Sequence, residues 1–212
     1  TGASNTATGY NALAANTTGT RNVAVGKNAL VANTTASDVV AVGNEALRTN
    51  TTGIKNVSTG NYSLRYNTTG ANNVAIGHQS LQANPTASWN TAIGSQALLT
   101  NTTGHRTVAI GFEASKLATT AGDSVVVGYR AGQKTTTALE NTFLGYYAGG
   151  ENLTGAYNCF VGASAGQLSL AHNNTAIGAR SLQANTTGQQ NVAVGMNCLF
   201  ANTTASYNTA VG

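Results

Sequence analysis

Short apolar triplets punctuate this chain at a fixed interval, each closed by a glycine. Val-Ala-Val-Gly at 23–26 returns as Val-Ala-Val-Gly at 40–43, Val-Ala-Ile-Gly at 74–77 and Thr-Ala-Ile-Gly at 91–94. The closing glycines are Gly9, Gly26, Gly43, Gly60, Gly77, Gly94, Gly111, Gly128, Gly145 and Gly162, every step seventeen positions. The step to Gly178 is shorter by one, and those to Gly195 and Gly212 are full again. Placing this glycine in column 5 of a seventeen-column unit gives every position a character. Column 1 is mostly Asn, column 2 is Val, Thr or Cys, column 3 is mostly Ala, and column 4 is aliphatic in all but Thr8 and Thr59. Column 8 is small, column 9 is mostly Leu, and column 12 is mostly Asn, followed by Thr-Thr and then Gly or Ala.

The β-branched run in columns 2 to 4 predicts a short strand. Glycine at column 5 predicts a sharp turn, columns 8 and 9 a second short strand, and Asn-Thr-Thr-Gly a closing turn. A unit of this length is too short for a two-helix repeat and suits one coil of a narrow β-solenoid. About 13 coils stacked ~4.8 Å apart make a rod of roughly 60 Å. Residues 1–212 read as a single repeat array, with variant coils over roughly 124–173. It starts and stops inside a unit, shows neither an initiator Met nor a capping coil, and reads as an internal segment of a longer fibre.

Stacking brings each column into line with itself. Asn22, Asn56, Asn73 and Asn90 in column 1, and Asn16, Asn33, Asn50 and Asn67 in column 12, are expected to form hydrogen-bonded ladders from coil to coil. Side chains alternate along a strand, so columns 2 and 4 point one way and column 3 the other. The expected interior is columns 2 and 4, with Val25, Val42, Ile76, Ile93, Ile110 and Val127 as its spine. Column 3 then faces outward although it is apolar, and a neighbouring subunit is the simplest cover. Columns 3 and 9 exchange volume. Val126, Phe143 and Phe160 replace Ala in the same coils where Gly132, Gly149 and Gly166 replace Leu, so the two columns touch, within one chain or across subunits.

The pentapeptides at 22–26, 73–77 and 90–94 resemble the core repeat of trimeric autotransporter adhesin heads of the YadA type. The longer unit, with Ala-Leu and Asn-Thr-Thr-Gly, also resembles repeats of phage tail fibres. The resemblance implies a left-handed parallel β-roll, a homotrimer and an attachment role on an extracellular surface fibre or a virion tail. The adhesin-head unit is shorter than this one, and the extra residues here fall in the Asn-Thr-Thr-Gly turn.

Composition narrows the chemistry. Ala, Thr, Asn and Gly number 35, 33, 26 and 25, and charged residues are 8% of 212. Like charges stacked one coil apart would repel, which fits so low a content. Ten basic residues form no nucleic-acid stripe, and no apolar run is long enough to cross a membrane. His78, His105 and His172 lie in distant coils, so neither a metal cluster nor a catalytic triad assembles and no cofactor is expected. Cys159 and Cys198 read as small buried residues too far apart for a disulfide. The Asn-x-Thr sequons at Asn16, Asn33, Asn50, Asn67, Asn101, Asn185 and Asn202 follow from the repeat itself. The candidate receptor or glycan contact is aromatic: Phe112, Tyr129 and Tyr146 in column 6, with Arg130 and Tyr147 in column 7. The array thus reads as a non-enzymatic spacer and attachment element. The rival reading is an ice-binding solenoid using the threonine files of columns 13 and 14.

Overall fold

A computed structural model describes residues 2–212. Its thirteen strands, from β1 (Thr6–Thr8) to β13 (Thr209–Val211), each have three residues, and each pairs in parallel with the next in sequence order. Each column meets itself: Val23, Ala24 and Val25 lie beside Val40, Ala41 and Val42. The chain is therefore a β-solenoid with one turn per repeat unit. The shortened coil keeps this register, with Cys159, Phe160 and Val161 beside Thr175, Ala176 and Ile177. Its lost residue is column 14, the exposed tip of the Asn-Thr-Thr turn. Leu170 donates to Thr186 O from column 13, and Ala171 fills column 15 by accepting from Asn158.

Column 5 is glycine for two reasons. Gly77 has φ +130°, which side chains disfavour, and an added Cβ would lie 2.6 Å from Gly94 O in the coil above.

The expected second strand at columns 8 and 9 does not form; the one sheet is that of columns 2 to 4. Columns 7 and 9 take left-handed φ instead, as at Glu45 (55°) and Leu47 (49°), and two such residues so close together curl the chain back. A left-handed conformation costs a bulky residue roughly 1–2 kcal/mol. Burial of the leucine contributes about 1.5–3 kcal/mol in return, and Leu47 is fully enclosed with its N–H on Ser63 O at 3.1 Å.

The interior is also the reverse of the expected one. Column 3 is inside: Ala24, Ala41, Ala75, Ala92, Phe143 and Phe160 have no exposed surface. Columns 2 and 4 face outward. Val25 and Ile76 are 36% and 39% exposed, and Val42, Ile93, Ile110 and Val127 are half-buried, so these six are no internal spine. Alternation is obeyed; the choice of face is set by volume. In the common coil, as at Leu30 with Asn22 and Asn33, a leucine and an asparagine pair already point inward, and the remaining space holds a methyl group.

The exchange between columns 3 and 9 follows within one chain. A Cβ added at Gly132 would lie 3.0 Å from the Phe143 ring and 3.3 Å from Val126. Phe143 and Phe160 stack in the core with centroids 5.2 Å apart and planes 11° from parallel. Where column 3 is Ser58, its hydroxyl donates to Ser63 O at 3.0 Å and so buries no unpaired group.

Asparagine lines the rest of the interior. In column 12 the amides pass hydrogen bonds directly: Asn33 Nδ2 to Asn16 Oδ1 at 2.9 Å, Asn50 to Asn33 at 3.3 Å, Asn67 to Asn50 at 2.7 Å. Each of these Nδ2 groups also holds the carbonyl of its own turn, as Asn67 holds Gly70 O at 2.9 Å. Column 1 works through the backbone. Asn22, Asn56, Asn73 and Asn90 each accept the column 1 N–H of the next unit and donate to the column 15 carbonyl of their own.

Candidate functional site

Three surface features stand out, and the first is the outer face of the sheet. Columns 2 and 4 place Val, Ile and Thr side by side over thirteen strands. Val125, Leu144, Ile177 and Val192 are 44%, 46%, 41% and 37% exposed. Strands ~4.8 Å apart and three residues wide make a strip of about 60 by 10 Å, on the order of 600 Å², the upper end of the largest patch on a typical monomer. Cys159 lies on this face, half-buried, while Cys198 is enclosed; both are free thiols. Beside it, column 17 carries ion pairs between neighbouring coils, Arg21 to Asp38 at 2.6 Å and Arg106 to Asp123.

The aromatic residues singled out in the sequence come together on the other flank. Phe112, Tyr129 and Tyr146 stack along the rod with successive centroids 5.4 Å apart and planes 18° and 9° from parallel. The Arg130 guanidinium lies 5.1 Å from the Tyr129 centroid, 5.7 Å from that of Phe112 and 5.8 Å from that of Tyr147. Its Nη1 donates to Tyr147 Oη and its Nε to Glu113 Oε2, at 2.6 and 2.7 Å. These partners, Tyr147 foremost, hold its pKa above the ordinary arginine value. Glu113 is 6% exposed and also accepts from Lys116 and Gln133, both at 2.6 Å. Burial pushes the Glu113 carboxyl up, but the hydrogen bonds from Lys116 and Arg130 outweigh it, and its pKa falls below the usual value. Sequence reading missed Glu113; its spacing from Lys116 and its shared column with Arg130 were the available signals.

The threonine files divide. Column 13 hydroxyls donate to the carbonyl of the coil ahead, as Thr17 does to Thr34 O at 2.9 Å and Thr102 to Thr119 O at 2.8 Å. Column 14 is the exposed file, unbroken from Thr18 to Thr154.

His105 and His172 share column 16, where each Nδ1 accepts a backbone N–H of the preceding coil, from Ser88 at 2.9 Å and Ala156 at 3.0 Å. Ser37 and Ser88 play the same part. The sequon amides of Asn33, Asn50, Asn67, Asn101 and Asn185 are fully buried. Among the described residues no group of three His, Cys, Asp or Glu side chains could hold a metal ion, and no helix is long and apolar enough to cross a membrane.

No family model, curated protein or solved structure matches this chain.

Proposed function

We propose that the chain is a structural and adhesive segment of a homotrimeric surface fibre, on a phage tail or a bacterial cell, acting as a stiff spacer and attachment element. The observation that carries this reading is the aliphatic face of columns 2 and 4. It runs from β2 to β13 with threonine breaking its column 4 file only at Thr59, and its β-branched side chains suit a packed sheet surface better than a wetted one. A partner with the same repeat would meet it rung for rung. The number three comes from the resemblance to adhesin-head repeats; the face itself calls for a partner. Stiffness follows from the hydrogen bonds that link each coil to the next around its circumference.

Native mass measurement tests the proposal. A single trimeric species supports it, and a well-behaved monomer at micromolar concentration overturns it.

The ice-binding reading rests on the exposed column 14 file, but column 13 commits its hydroxyls to carbonyls of the next coil, which leaves one free row in place of a two-dimensional array. Thermal hysteresis in a dilute solution would favour it over the fibre.

A further inference from the structure

The aromatic stack of column 6 ends abruptly. Phe112, Tyr129 and Tyr146 cover one another's facing sides, but the far face of Tyr146 has no column 6 ring above it. The next two rungs of column 6 are Ala163 and Ala179, and the third is Met196. The missing side chains leave a half-open notch of about 420 Å³ between Tyr146 and Met196, floored by the two alanines and bordered by Ser164, Arg180 and Asn197 of column 7.

Arg180 stands in the column of Arg130 but lacks everything that holds Arg130. In place of Glu113 and Tyr147 its column 7 neighbours are Ser164 and Asn197, and its own column 6 residue is Ala179 where Arg130 has Tyr129. It is exposed and makes no ion pair or side-chain hydrogen bond with the described residues. The notch thus offers an open aromatic face, a small apolar floor, two neutral hydrogen-bonding groups and an uncompensated positive charge.

We infer that this notch binds a sugar unit that carries a carboxylate. The occupant needs one flat apolar face for Tyr146, a perimeter rich in hydrogen-bonding groups for Ser164 and Asn197, and a negative charge for Arg180. A pyranose ring has an apolar C–H face and a rim of hydroxyls, and a uronic or similarly acidic sugar adds the charge. An aromatic acid would satisfy Tyr146 and Arg180 but leave the two neutral groups unmatched. The inference rests on the attachment reading and names the chemistry that the fibre would grip.

Saturation-transfer NMR on the 212-residue chain, with sodium glucuronate as probe and methyl glucoside as neutral control, tests it. Glucuronate should bind in the millimolar range, roughly tenfold more tightly than methyl glucoside. Ala163→Tyr extends the stack into the notch and should abolish binding while circular dichroism stays that of the parent. Arg180→Ala should bring the two sugars to equal affinity. If Ala163→Tyr fails to fold, Tyr146→Ala, which removes an exposed ring, should lose binding in its place. Equal transfer to both sugars by the parent, unchanged binding by the notch variants, or binding of benzoate without glucuronate would overturn the inference. The mass of the same sample separates the two ideas. A trimer that ignores glucuronate sinks the notch alone, and a monomer that binds it sinks the fibre alone.

Discussion

A Cβ added at Gly149 would lie 2.8 Å from Cε2 and Cζ of Phe143, so the phenyl ring fills the space that a column 9 leucine takes in other coils. Gly149 has φ +57°, close to the +49° at which Leu47 and Leu98 sit, so the backbone there accepts a leucine and the obstacle is the ring. Gly149→Leu should destabilise the solenoid by about 1–3 kcal/mol through overpacking, and Phe143→Ala by about 3–5 kcal/mol through the cavity it leaves. The double variant rebuilds the common Ala-with-Leu coil and should recover a coupling of up to ~3 kcal/mol. Denaturant melts of the four proteins measure it; additive losses would mean that the two positions do not share volume.

The face assignment has a sharp mutational contrast. Ala92 and Ile93 are adjacent, but the first is sealed inside and the second half-buried outside. Ala92→Asp buries a carboxylate with no partner and should cost several kcal/mol or prevent folding. Ile93→Asp should leave the melting of the dilute single chain within about 1 kcal/mol of the parent and abolish assembly. Sedimentation velocity alongside the melt separates the two effects, and an Ile93→Asp chain that still assembles would show that the partner sits elsewhere.

Removing one rung of the asparagine ladder should be felt on both sides. Asn67 donates to Asn50 Oδ1 and accepts from Asn84 Nδ2, at 2.7 and 3.0 Å. Asn67→Ala leaves Asn50 Oδ1 buried without its donor and should cost about 1–3 kcal/mol. Thr69→Ala, at the exposed tip of the same turn, should stay within ~0.5 kcal/mol. The molecule has its own version of the experiment. Ala118 interrupts column 12 above Asn101, and there Asn101 Oδ1 takes the N–H of Gly104 at 3.1 Å.

Acid should loosen the coils around Glu113. Its folded-state pKa lies below the ordinary 4.5, so the unfolded chain takes up the proton first. The stabilisation is therefore complete above about pH 4.5 and drains away as pH falls through the folded-state value. Asp38 and Asp123, held low chiefly by the hydrogen bonds from Arg21 and Arg106, act in the same direction. Melting temperatures from pH 7 to pH 3 should fall more steeply for the parent than for Glu113→Gln, with the two converging at the acid end.

Much of this architecture was legible because a repeat reports on itself. The period, the strand of columns 2 to 4, the stacking register and the columns later seen as amide ladders could all be read from recurring letters. Which face of the strand lies inside could not. Val25 and Ala24 are both apolar, and hydrophobicity alone favours the larger residue for the core, as it did here wrongly. The deciding quantity was the room left once Leu30 and two asparagines point inward. The second strand failed for a related reason: leucine in the left-handed region runs against its ordinary preference, and only a sealed site rewards it. The aromatic stack could be placed in one column from spacing, whereas the notch beyond Tyr146 is a property of what Ala163 and Ala179 lack.

The coil that drops a residue at the tip of its turn has a practical corollary. A site where shortening leaves the flanking rungs in phase is one where lengthening should do the same. Guest peptides spliced between Thr35 and Ala36, or at the equivalent point of any other coil, would emerge from the rod as a row of loops about 4.8 Å apart. The scaffold is in that sense a ruler with removable teeth, and its pitch is set by the backbone, whatever the teeth carry.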